Sequence, residues 1–136
     1  MANEWYAIAA NAAALAALVA SGNSNLSVQP HPTEYHEAAE QVGVAGDGTP
    51  IELGAPTSTW TYGAPLSAAE WKELMDFVGT SASVTAYIRT RTNQTEADGT
   101  YQYSNYQCVM WRPTGQSTAY YRFEGVEVKF TQLVAV

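Results

Sequence analysis

The 136-residue chain reads as a mainly β, α+β protein: an antiparallel β-sandwich or barrel with one packed helix, preceded by an Ala-rich helix and an extended arm. Three observations predict this. From residue 57 onward, alternating β-branched and aromatic runs are punctuated by regular turn signals. Within that half, Ser67–Val78 alone has helical spacing and a helix start signal. Only 14% of residues are charged, against about 25% in typical domains, and nine Tyr and four Trp take up part of the difference. The expected organisation is a docking helix over residues 1–22, a Gly/Pro-rich acidic arm over 23–56 and a sandwich-like core over 57–136. A domain of this size buries roughly two-thirds of its unfolded surface. It therefore needs no disulfide, and its single cysteine, Cys108, makes none within the chain.

Met1–Gly22 is dominated by Ala and holds no Gly or Pro before its end, which favours a helix stopped by Gly22. Trp5, Ile8, Leu15 and Val19, with Ala12 between them, form a 3-4-3-4 stripe on one face of such a helix. That stripe predicts docking, on a neighbouring subunit or on the chain's own domain. The alternative is a secretory signal, since Ala12–Ala20 is apolar and Ser21 precedes a glycine. A signal peptide wants a positive leader, however, and this one carries Glu4 with no Lys or Arg. It is also too short and Ala-rich for a membrane span.

Ser21–Pro56 is rich in Gly, Pro, Asn and Ser, with short strand candidates near Leu26–Val28 and Pro50–Leu53. A loop this long is unusual in a compact lone domain, so an arm on a neighbouring subunit and plain disorder both stand. His31, Glu34, His36 and Glu37 have donor chemistry for a metal. Their intervals do not share one helical face, and prolines flank His31, so no metal is expected and a solvated acidic loop is the reading.

The core elements follow in order. Thr57–Tyr62 is a strand between Pro56 and Gly63. Ser67-Ala-Ala-Glu70 is a capping box that starts a helix, with Trp71, Leu74, Met75 and Val78 as its buried face and Gly79 as its stop. Ala82–Thr92 sets Val84, Ala86, Ile88 and Thr90 against Thr85, Tyr87, Arg89 and Arg91. Asp98-Gly99 turns the chain into Thr100–Arg112, which has Tyr101, Tyr103, Gln107, Val109 and Trp111 on one side. Pro113-Thr-Gly115 is a further turn signal. The last strand, Thr118–Val134, carries Val126, Val128 and Phe130 on its apolar face and a bulge signal at Glu124-Gly125. Cys108 in its strand reads as a small buried thiol.

Charge and missing motifs narrow the function. Residues 1–71 hold seven acids and no Lys or Arg, so the first half accounts for the whole net charge of −7. With no basic patch, tight nucleic-acid binding is not expected. No nucleophile elbow, Gly-rich phosphate cradle, CxxC, HExxH or calcium loop is present, and both histidines lie in the arm, so no enzyme and no cofactor is expected. Arg89 and Arg91 share a strand face. Either that face is merely solvated, or the arginines form an ion-pair strip against the acidic half of a neighbouring copy, a head-to-tail contact. With Trp5, Ile8, Leu15 and Val19 they make up the expected subunit interface. Asn25-Leu-Ser and Asn93-Gln-Thr match a glycosylation sequon short enough to arise by chance.

Gly54-Ala-Pro56, Thr59-Trp-Thr-Tyr62, Leu66, Glu70-Trp71 and Tyr87-Ile-Arg-Thr-Arg91 together resemble small tail proteins of long-tailed bacteriophages. Tyr103–Tyr106, Val109-Met-Trp-Arg-Pro113 and Val126-Glu-Val-Lys-Phe-Thr-Gln-Leu133 extend the likeness over about residues 54–134. The resemblance implies a self-assembling virion subunit, a β-sandwich ring or tube around a lumen that DNA crosses. It further implies homo-oligomer and other virion proteins as partners, no membrane, and assembly in a host cytoplasm. The Ala-rich start and the arm have no counterpart in it, which leaves tube, terminator, baseplate and capsid decoration open. The other class of function is a secreted β-sandwich binding module for carbohydrate or protein, using Tyr and Trp as stacking platforms.

Overall fold

The computed structural model describes residues 5–31, 33–36, 40–44, 46–48, 50–53, 56–118 and 121–136. In chain order the elements are β1 (Ala7–Ala9), α1 (Ala12–Ser21), β2 (Thr33–His36), β3 (Glu40–Val44), β4 (Pro50–Leu53) and β5 (Thr57–Thr61). There follow β6 (Leu66–Ser67), α2 (Ala68–Val78), β7 (Ser83–Thr95), β8 (Tyr101–Trp111), β9 (Thr114–Thr118) and β10 (Arg122–Ala135). The protein is mainly β, as expected. Eight strands form one antiparallel sheet in the order β1-β7-β8-β10-β5-β2, with β6 and β9 also laddered on β10. β3 and β4 pair with each other in a separate two-stranded ladder.

Alternation on the long strands sets the layers. Ala86, Ile88 and Thr90 of β7, Cys108 and Met110 of β8, and Val126, Val128 and Phe130 of β10 are all buried. The apolar members of this set form the main core together with Trp60. Each fully buried aliphatic or aromatic side chain stabilises by roughly 1.5–3 kcal/mol, so this face dominates the energetics. α2 closes it with Leu74 and Val78, while Trp71 stacks on Phe123 of β10 at 4.6 Å and 5°. The capping box forms as read: Ser67 Oγ accepts from the Glu70 N–H, and the Glu70 carboxylate accepts from the Ser67 N–H. The bulge also falls where expected, between Glu124 and Glu127, with Gly125 at φ 62°.

The sheet curls until strands far apart in its ladder meet. Trp60 Nε1 of β5 donates to Thr90 Oγ1 of β7 at 3.0 Å, and Ser58 Oγ lies 3.2 Å from the same hydroxyl. Ser58 in turn donates to the Glu34 carbonyl. The Tyr6 hydroxyl and Thr33 Oγ1 are 2.6 Å apart, and the Tyr6 ring sits edge-on to Trp60 at 5.2 Å. These contacts give the sandwich-like closure.

Three expectations are corrected. The first concerns residues 1–22, read as one helix. Ala7–Ala9 is instead a strand on β7, and α1 begins only at Ala12, where the Asn11 side chain accepts from the Ala14 N–H at 2.8 Å. A vacant sheet edge outweighs the small helix preference of a few residues, and Asn favours the cap over the helix interior. The Gly22 stop holds, with φ 73° and its N–H on the Leu18 and Val19 carbonyls. Second, the core is not confined to residues 57–136: β1 and β2 are strands of the main sheet, and Leu26 is buried in its core. The described residues of the arm up to His36 therefore lie on the chain's own domain. Third, Pro113-Thr-Gly115 is not only a turn, because Thr114–Thr118 continues as β9 against β10.

Candidate functional site

The expected interface residues separate into two groups. Ile8 is fully buried against the main core, and Leu15 anchors α1 on the opposite face of β1 and β7 with Ala7 and Ala9. Both are occupied within the chain, so they do not form a docking stripe with Trp5 and Val19; Trp5 and Ile8 lie outside α1 altogether. The other four converge. Trp5, Val19 and Arg89 line one cleft, and Arg91 lines the next.

Hairpin register explains the convergence. β7 and β8 pair Arg89 with Asn105 and Arg91 with Tyr103, and an irregularity beyond Arg91 brings Thr95 opposite Tyr101. One sheet face at the hairpin tip therefore gathers two arginines and two tyrosines. The Arg89 guanidinium lies 4.5 Å from the centre of the Trp5 ring and 5.5 Å from that of Tyr103, between two cation–π partners. Burial pulls its pKa down, against the nearby Tyr103, which pushes it up; guanidinium stays protonated regardless. Arg91 lies 4.4 Å over the Tyr101 ring and donates to the Thr33 carbonyl at 3.2 Å. Neither arginine is a loose surface cation, which weakens the solvated-face reading.

The first cleft, of about 700 Å³, runs from Val19 and Gly22 past Trp5 and Arg89 to Glu96, Asp98 and Tyr101. The second, of about 440 Å³, continues from Tyr101 past Arg91 and Asn93 to Glu34 and Tyr35. Tyr101, 52% exposed, is the ridge they share. Asp98 is held by its turn: one carboxylate oxygen accepts from the Thr100 N–H at 3.0 Å and from its hydroxyl at 2.7 Å, which lowers the Asp98 pKa. Among the described residues, neither cleft is lined by His, Cys, Ser or Lys. The groove thus offers rings, guanidinium donors, hydroxyls and carboxylate or amide acceptors.

Among the described residues no cluster of His, Cys, Asp and Glu is arranged to hold a metal ion. Of the histidine–glutamate set, Glu37 and the His36 side chain fall outside the described residues, and His31 sits in an isolated bridge to Tyr62. Cys108 is buried, and burial pushes its thiol up to about 12, as its expected packing role requires. No described helix is long and apolar enough to cross a membrane. Sequence reasoning missed Glu96, Asp98, Thr100 and Tyr35 as groove residues. It had placed Tyr101 and Tyr103 on one strand face and Arg89 and Arg91 on another, but not the register that brings the two together. Comparison with protein-family models, curated proteins and solved structures finds no match.

Proposed function

We propose that this chain is a self-assembling structural subunit of the kind that builds long-tailed bacteriophage tails, a tube or a tail-associated ring. The observation that carries the reading is the contrast between two edges of the sheet. At β1 the outward backbone groups are sealed by side chains. Asn25 Nδ2 donates to the Ile8 carbonyl at 2.7 Å, and its Oδ1 accepts from the Ile8 N–H at 3.4 Å. Gln29 accepts from the Tyr6 N–H at 2.6 Å, and Ser24 donates to the Tyr6 carbonyl. An edge so covered cannot template another strand.

β9 is built differently. Its sequence is TGQST, without charge or proline, every residue is exposed, and among the described residues it ladders with β10 alone. An open, uncharged edge is where another strand adds. The β3–β4 ladder is the natural counterpart, since isolated two-stranded hairpins are marginal alone. Residues 1–71 hold seven acids and no Lys or Arg, whereas all six Lys and Arg lie in residues 72–136. A head-to-tail contact between unlike surfaces closes into rings or runs into filaments.

The test is light scattering and negative-stain electron microscopy over a concentration series, comparing the wild type with Gln116→Lys, which puts a charge on the β9 edge. We expect rings or short tubes from the wild type, and a smaller particle with unchanged circular dichroism from the variant. A wild type that stays monomeric at millimolar concentration, or a variant that assembles equally well, refutes the reading.

A further inference from the structure

We infer that the groove over the β7–β8 hairpin tip is a binding site for a neutral oligosaccharide, lying across Tyr101 with one sugar ring in each cleft. This inference stands apart from the assembly reading. Three features of the groove carry it.

Its volume is the first. Clefts of about 700 and 440 Å³ that share Tyr101 are each within the range of small-ligand sites and adjoin at that ring.

Charge is the second feature. Among the described residues, Arg89 with Glu96 and Asp98 leave the lining of the first cleft one negative charge, and Arg91 with Glu34 leave that of the second neutral. A groove with this balance disfavours phosphate, sulfate and nucleic acid. It suits a neutral ligand that needs donors and acceptors side by side, and neighbouring sugar hydroxyls need that pairing. Each cleft supplies it: a guanidinium donates, and a carboxylate in the same cleft accepts.

The platform is the third. Tyr101 is backed on one ring face by the Arg91 guanidinium at 4.4 Å yet remains 52% exposed. A half-exposed ring held by a guanidinium has little entropy left to lose when the C–H face of a sugar packs on its exposed part. Arg89, fixed between Trp5 and Tyr103 at 4.5 and 5.5 Å, is likewise positioned before any ligand arrives. Arg89 and Arg91 are two residues apart on one strand face, so about 6.6 Å separates them, room for successive rings of one chain.

The test uses the full chain and a defined panel: cellotetraose, maltotetraose, chitotetraose, mannotetraose and a sulfated cellotetraose. Each is titrated to about 20 mM, enough to detect a millimolar constant, by proton–nitrogen NMR, with Trp5 indole fluorescence as a second readout. At least one neutral tetrasaccharide is expected to bind with a millimolar or tighter constant, shifting Thr100, Tyr101 and Asn93 amides. Tyr101→Ala should weaken it roughly tenfold, about 1.4 kcal/mol, while Trp111→Ala, an exposed ring outside the groove, leaves it unchanged. No shift in those amides with any neutral member, preference for the sulfated one, or equal binding by Tyr101→Ala overturns the inference. Loss of assembly in Gln116→Lys without loss of binding separates it from the assembly reading.

Discussion

Thr90 is the residue on which closure of the curled sheet can be tested most directly. Its hydroxyl is fully buried and accepts from Trp60 Nε1 at 3.0 Å. Because Ser58 Oγ donates to the Glu34 carbonyl at 3.2 Å, the proton between Ser58 and Thr90, 3.2 Å apart, belongs to Thr90. The result is a directed chain, Trp60 to Thr90 to Ser58 to Glu34, crossing from β5 to β7 and back. Thr90→Val keeps the shape and removes the middle link. Trp60 then holds a buried N–H without an acceptor, which costs about 1–3 kcal/mol. Ser58 keeps its own acceptor, and the added methyl recovers under about 1 kcal/mol. The net loss should be about 2 kcal/mol, or a melting point lowered by about 6–10 °C in a domain of this size. Urea unfolding followed by tryptophan fluorescence measures it. Trp60→Phe removes the donor itself, so in a double-mutant cycle Thr90→Val should cost at least about 1 kcal/mol less when Trp60→Phe is already present. A neutral Thr90→Val, or strict additivity with Trp60→Phe, refutes the idea that this chain holds the two halves of the sheet together.

Gly115 of β9 lies against one of the stacked rings: an added Cβ would come within 3.1 Å of both Trp71 Cζ3 and Val126 Cγ2. Gly115→Ala should therefore loosen the Trp71–Phe123 stack and destabilise by about 1–2 kcal/mol, read as a lower urea midpoint; an unchanged midpoint contradicts that packing. Cys108 should resist a disulfide-exchange reagent at mildly alkaline pH in the native state and react at once in denaturant. Its thiol has an ordinary value near 9.0 and a folded value of about 12, so below the first both states keep the proton and above it only the unfolded state loses it. Stability should therefore fall between about pH 9 and 12, by up to about 1.4 kcal/mol per unit, and Cys108→Ala should flatten that slope. Burial, and next the nearby Glu73, also raise the Tyr62 hydroxyl above its ordinary 10.0, and that hydroxyl is buried with no hydrogen-bond partner among the described residues. Tyr62→Phe should accordingly be neutral or stabilising by up to about 1 kcal/mol; clear destabilisation in thermal melts would mean the hydroxyl is satisfied in solution.

Local chemistry on neighbouring residues was legible in the sequence. The Ser67–Glu70 capping box, the Gly22 stop, the Glu124-Gly125 bulge and the period-2 burial of β7 each depend on residues a few positions apart, and each formed as read. The mainly β class follows from the same alternation, and buried Cys108 from the tendency of a free cysteine in a strand to pack inside. Competition between local preference and a distant partner was not legible. Ala7–Ala9 prefers helix alone, yet fills the edge of β7, far away in sequence. Asn25 and Gln29 look like loop residues, and only the fold reveals that they seal β1 as a neighbouring strand would. The groove depended on register above all. Arg89, Arg91, Tyr101 and Tyr103 were assigned to their strand faces from sequence, but the register that pairs Arg89 with Asn105 and Arg91 with Tyr103 is what lays the rings beside the guanidinium groups. Periodicity determines which way a side chain points along its own strand, and only the tertiary structure decides what stands opposite, because strand register is set by contacts the chain makes across long sequence separations.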